Sequence, residues 1–112
     1  MRKILLTAFT LGFAALSGAA LNAAEETVLR LTLEDGKFAP AELRAPANRA
    51  FTLTVRNAGK AAMEFESKGL KLEKVIAAGA EQSLHVRPMK PGRYAFVDEF
   101  NEDVAKGALI VE

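Results

Sequence analysis

Cysteine and tryptophan are absent from this 112-residue chain, and histidine occurs once, as His85. Without a thiol there can be no disulfide, no thiolate nucleophile and no soft sulfur ligand for a thiolate-bound copper. Without cysteine there is no Cys–His pair, and His85 is the sole imidazole that could serve a serine nucleophile as base. A one-sided charge is missing as well. With 15 Lys+Arg against 14 Asp+Glu, the chain has no basic footprint for nucleic acid. Long amphipathic helices are the last absence. Beyond the first two dozen residues, no segment of helix length carries a sustained 3.6-residue stripe.

The N-terminus has the pattern of a secretory leader. Arg2 and Lys3 form a basic start, Ile4 to Leu21 is apolar and rich in small residues, and Leu21-Asn22-Ala23 offers a cleavage site. Gly18-Ala19-Ala20 is a second candidate site. The competing reading is a retained membrane anchor, since 18 apolar-leaning residues nearly span a bilayer. Dilution by Ala, Gly, Ser and Thr favours the cleavable leader, residues 1–23, and places the mature domain, residues 24–112, in the periplasm or outside the cell. The absence of a cysteine at the cleavage site excludes a lipoprotein anchor. Cleavage removes two basic residues and no acidic ones. The remaining 89 residues (112 − 23) then carry 13 basic and 14 acidic groups, a net charge of −1. A domain of that size without disulfides needs a compact architecture to bury enough surface.

Past the leader the chain is a series of short apolar alternations, punctuated at about ten-residue intervals. Thr27 to Leu33 ends at Asp35-Gly36, and Phe38 to Ala45 is interrupted by Pro40. Phe51, Leu53 and Val55 close at Asn57-Ala58-Gly59, and Met63 and Phe65 close at Lys68-Gly69. Leu70, Leu72 and Val75 run to Ala77-Ala78-Gly79, Gln82 to Val86 runs to Pro88, and Tyr94 and Phe96 follow Pro91-Gly92. Ala108 to Val111 closes the chain. Seven or eight short strands at this spacing predict an all-β sandwich. The one helical candidate is a short turn over 101–106.

Several stretches carry a family resemblance. They are Asp35-Gly36-Lys37-Phe38-Ala39-Pro40, Glu64-Phe65-Glu66-Ser67, Leu72 to Ile76, Lys90-Pro91-Gly92-Arg93-Tyr94 and Asp98-Glu99-Phe100. Over nearly all of residues 27–112 the chain resembles the cupredoxin-like domain of bacterial periplasmic iron-uptake systems. It is similar to the N-terminal domain of the EfeO type, and to the small cupredoxin-like subunit of ferrous-iron transport systems. The resemblance implies a Greek-key sandwich and a role in handling iron or copper. It also shows what this copy lacks. The slot that holds the cysteine thiolate in a blue-copper hairpin holds Asp98. Asn101 stands where many relatives carry a histidine, and Ala105 lies near a third ligand slot. The first ligand slot of the family falls near Glu64.

The candidate metal ligands are therefore Glu64, Glu66, Asp98 and Glu99, with Met63 beside them. Alternation places Glu64 and Glu66 on one strand face and Met63 and Phe65 on the other. Asp98 and Glu99 open the loop expected above that strand end. Such an oxygen-rich set suits hard cations, Fe(III), Mn(II) or Ca(II). The bland reading of the same acids is solvated surface. Met63 reads either as a thioether ligand for Cu(I) or as a core methionine beside Phe65. Met89 reads as a loop plug, His85 as a solvated surface residue, Glu73-Lys74 as a strand-face ion pair, and Tyr94 as a structural corner tyrosine.

Two functions follow. In the first, the domain is a periplasmic accessory protein that binds or relays iron, or copper, through carboxylates and hands it to a membrane permease or another uptake subunit. In the second, it is a metal-free docking module built on the same frame. A blue-copper electron carrier is excluded by the missing cysteine. An independent ferroxidase is disfavoured, because a carboxylate site supplies no electron acceptor.

Overall fold

The structure, a computed structural model, describes residues 26–112. The predicted leader, residues 1–23, lies outside the described residues.

Among the described residues, nine strands form two sheets. They are β1 (Val28–Glu34), β2 (Lys37–Ala39), β3 (Glu42–Ala45), β4 (Phe51–Asn57), β5 (Met63–Ser67), β6 (Leu72–Ile76), β7 (Glu81–Val86), β8 (Gly92–Asp98) and β9 (Lys106–Val111). One sheet has the order β2-β1-β4-β7 and the other β3-β9-β8-β5-β6. The β1–β4 and β3–β9 pairs are parallel, and the remaining ladders are antiparallel. The expected run from Phe38 to Ala45 is two strands, one in each sheet. Pro40 supplies no N–H to continue a ladder, and the chain crosses between the layers there. The helical turn expected over 101–106 begins earlier, as a 3-10 helix at Glu99–Asn101. Asp98 sets that start, because its side chain accepts from the Phe100 N–H as an N-cap.

Period-2 alternation decides which side chains meet. Leu31, Leu33, Phe51, Leu53 and Val55 face inward from the first sheet, and Met63, Phe65, Phe96, Leu109 and Val111 from the second. Phe38 reaches from β2 across the layers to Phe65 and Phe96, with ring centroids 6.3 and 5.0 Å away and edge-on geometry. Phe65 and Phe96 lie 5.5 Å apart on neighbouring strands. Leu70, expected within a strand, plugs the β5–β6 turn and is fully buried. Met89 is buried in the loop before β8. The Tyr94 hydroxyl donates to the Lys90 carbonyl at 2.7 Å and pins the entry to β8.

One buried side chain organises the loops at the β4 end. Asn57 is fully buried, donates through Nδ2 to the carbonyls of Ala61 (2.8 Å) and Ile76 (3.0 Å), and accepts at Oδ1 from the Gly59 N–H (3.0 Å). These bonds fold residues 58–62 back so that β5 starts beside β6. Asn57→Ala would leave the Ile76 carbonyl without this partner, and we expect a loss of about 1–3 kcal/mol, read as a lower urea midpoint at unchanged m-value. A variant as stable as wild type would show that the loop is held by its backbone alone.

Candidate metal centre

Antiparallel register builds the site. In the β5–β6 ladder Glu66 stands directly opposite Glu73, and Glu64 opposite Val75. All four side chains point to the outer face, because Met63, Phe65 and Ser67 take the inner one. In the β5–β8 ladder Phe65 pairs with Asp98 and Glu66 with Val97. Strand β8 therefore ends level with the acidic pair, and the next residue, Glu99, opens the 3-10 turn above it. The result is a group of four carboxylates, Glu64, Glu66, Glu73 and Glu99, each offering an oxygen within 4.8 Å of the others.

Glu64 and Glu66 are half-buried, and Glu73 and Glu99 are exposed. No basic side chain forms an ion pair with them among the described residues; the pairs found there are Arg30–Glu81, Arg44–Glu112 and Arg93–Glu42. Crowding raises the pKa of two of these carboxyls. The Glu64 carboxyl is held above its ordinary value, first because it shares a hydrogen bond with Glu73, an effect Glu99 partly offsets, and then through desolvation. The Glu66 carboxyl is likewise raised, first by hydrogen bonding to Glu99, then by desolvation and the Glu99 charge, with Lys68 opposing. Like charges held this close disfavour ionisation, and a cation would reverse the balance.

Of the residues expected from sequence, Glu64, Glu66 and Glu99 come together. Asp98 lies beneath them, 2% exposed and facing the interior. Met63 is 1% exposed and packs in the core beside Phe65, on the face opposite the carboxylates. Glu73, expected to pair with Lys74 on a strand face, joins the group instead. Adjacent strand residues point to opposite faces, so that pair does not form. Lys74 stands opposite Phe65, and Glu73 opposite Glu66. The signal was present: a hairpin turning at Lys68–Lys71 sets Ser67 against Leu72 and hence Glu66 against Glu73.

A thiolate copper centre does not fit these residues. The chain has no cysteine. The Asp98 carboxylate accepts from the Glu64 and Phe100 N–H groups and from Asn101 Nδ2. His85 is exposed on β7, in the other sheet. The donor set that does converge is all oxygen.

Comparison with known proteins agrees with the architecture. The metal-binding domain of the Cu(I)-exporting P-type ATPase CopA of Streptococcus pneumoniae D39 superposes with a TM-score of 0.68 at 20% identity, covering 76% of this chain and 84% of that one. Auracyanin A, a "blue" copper protein of Chloroflexus aurantiacus, superposes with a TM-score of 0.67 at 13% identity, covering 78% and 99%. At such identities the likeness is one of fold. An uncharacterized protein of Rickettsia prowazekii (strain Madrid E) is 32% identical over 83 residues, which are 74% of this chain and 66% of that protein. The family model described as cupredoxin-like domain matches residues 4–111. With two sheets of this order, a β8–β9 hairpin carrying Asp98 at its turn and a match along almost its whole length, the chain belongs to the cupredoxin-like domain family.

Proposed function

We propose that this protein is a metal-binding accessory component of periplasmic iron uptake, a cupredoxin frame that holds a hard cation through carboxylates. The observation that carries the proposal is the convergence of Glu64, Glu66, Glu73 and Glu99 from three separate elements with no ion pair to any of them among the described residues. Carboxylate oxygens match Fe(III), Mn(II) or Ca(II), and affinity grows with the charge of the donor set. With Met63 turned into the core, the group offers Cu(I) no soft donor. Iron is cargo in this reading. Half of the group is exposed, which suits exchange with a permease or a second uptake subunit better than permanent retention. Oxidation of Fe(II) would need an electron acceptor from a partner, because carboxylates are redox-silent.

Isothermal titration of chelator-stripped protein with Mn(II), Fe(III)-citrate and Cu(II) tests the reading. Saturable one-to-one binding of the hard ions, lost in Glu66→Gln/Glu73→Gln, is the expected outcome. Absent binding, or binding indifferent to the double substitution, would transfer the role to the docking module. The exposed Phe100 and Val104 on the loop between β8 and β9 would then be the surface to examine first.

A further inference from the structure

We infer that Asp98, the residue in the family's thiolate slot, is the positioning residue of the carboxylate group: it fastens together the two backbone segments that carry Glu64 and Glu99. The inference rests on the metal-binding reading above and assigns Asp98 a place beneath the ion rather than on it.

Three observations converge. First, the β5–β8 ladder stops at the Phe65–Asp98 pair. Strand β5 continues to Glu64, and the Glu64 N–H finds the Asp98 side chain instead of a strand, donating to Oδ1 at 2.9 Å. Second, the same Oδ1 accepts from the Phe100 N–H at 3.1 Å, one peptide beyond Glu99. Two amides belonging to different elements thus meet on a single oxygen, and each lies next to the Cα of a carboxylate in the group. Third, Asp98 is only 2% exposed and has no ion-pair partner among the described residues. Its second oxygen takes Asn101 Nδ2 at 3.3 Å, and its own N–H donates to the Ala105 carbonyl at 2.9 Å, closing the loop. A buried anion satisfied by N–H donors holds them in defined directions, and charge-assisted bonds of this kind are about twice as strong as neutral ones.

In a metal site the ligands come from separate segments, and hydrogen bonds behind them keep the ligand atoms at bonding separation. Removing such a partner lowers metal affinity about 10–100-fold. Asp98 meets that description for Glu64 and Glu99 together. As a ligand it fits poorly: it faces the interior with Phe65 and Phe96, and both of its oxygens are already engaged.

The test measures Mn(II) affinity in wild type, Asp98→Ala, Asp98→Asn and Val86→Ala, with amide hydrogen exchange recorded on each metal-free protein. Val86 is a buried residue of β7, in the sheet that lacks the carboxylates, and its truncation controls for general loss of stability. Asp98→Ala is expected to weaken Mn(II) about 10–100-fold at unchanged stoichiometry, and to speed exchange at the Glu64 and Phe100 amides. Asp98→Asn keeps Oδ1 as an acceptor, and Asn101 can turn its amide over to face it, so most of the affinity should return. Val86→Ala should bind as wild type does. If Asp98→Ala fails to fold, Asp98→Ser, one bond too short to reach both amides, takes its place with the same expectation. Asp98→Asn binding as weakly as Asp98→Ala would overturn the inference and make Asp98 a ligand. Wild-type affinity in Asp98→Ala, or unchanged exchange at the two amides, would overturn it while leaving the metal reading intact. A wild type that binds no Mn(II) removes the metal reading, and the positioning role with it.

Discussion

Phe96→Ala is expected to lower the free energy of unfolding by about 3–5 kcal/mol, the largest loss from any single truncation here. Phe96 is 1% exposed and packs against two other buried rings, Phe38 from one sheet and Phe65 from its own. Its ring also fills space left by a glycine. Gly107 is its register partner on β9, and a Cβ added there would meet the ring at 2.6 Å and the Ala41 carbonyl at 2.5 Å. The chain crosses from β2 to β3 beside Ala41, so this close approach lets the crossing lie flat on the second sheet. Gly107→Ala must displace backbone as well as the ring, and we expect a loss of about 1–3 kcal/mol or more. A domain of this size has about 5–15 kcal/mol in total and no disulfide to limit its unfolded state. Phe96→Ala should therefore be partly unfolded near physiological temperature. Phe100→Ala, at a residue 53% exposed, should leave the midpoint almost unchanged. Guanidinium denaturation of the three variants decides the matter. A Phe96→Ala loss no greater than that of Phe100→Ala would refute a core centred on the three rings.

The rings also show what could be read without coordinates. Phe65 and Phe96 sit in strict alternation, and period 2 leaves one choice of inner face for each strand. Strand existence and the sandwich followed from that. The split of the Phe38–Ala45 run was half legible: Pro40 marked the break, but which sheet each half joins depends on Leu43 and Ala45 pairing with Leu109 and Val111 at the far end of the chain. Leu70 misled because burial alone does not distinguish a strand residue from a turn plug. The start of the 3-10 turn is set by Asp98 acting as its cap, a role that the family's ligand slot at this position does not suggest.

The site was legible to the extent that it is local. Glu64 and Glu66 share a face by alternation, and Glu99 follows the end of the strand beside them. Glu73 needed the hairpin register, which a count across the turn would have supplied. The direction of Asp98 could not be counted in this way. It depends on β5 outrunning β8 by two residues, which leaves the Glu64 N–H to be satisfied by a side chain. Asparagine would satisfy that amide too, so composition alone does not separate a ligand from a fastener at this position.

Neutralising the facing pair should change stability in opposite directions with and without metal. In the metal-free protein Glu66 and Glu73 stand directly opposite each other, an arrangement that destabilises a sheet when both are charged. Glu66→Gln/Glu73→Gln should therefore raise the thermal midpoint of stripped protein at neutral pH. The pH dependence has the matching sign. Glu64 and Glu66 titrate above the ordinary carboxyl value of 4.5 in the folded state, so the native chain holds protons that the unfolded chain has already lost. Their contribution to stability is fully present below 4.5 and is lost as pH rises through the raised native values. Stripped wild type should gain stability on acidification from neutral pH toward that window, and the double variant should gain less. Metal reverses the order. Protons and cation compete for the same oxygens, so binding releases protons and strengthens as pH rises through the same window. At a free Mn(II) concentration one hundred times the dissociation constant, mass action adds about 2.7 kcal/mol to the wild type. The variant, with half the donors gone and affinity reduced on the order of 100-fold or more, should gain almost nothing. Differential scanning calorimetry with chelator and with Mn(II), at neutral pH and just above the carboxyl range, reads all four conditions. If the two melting curves keep the same order in chelator and in Mn(II), the carboxylates are not the metal site.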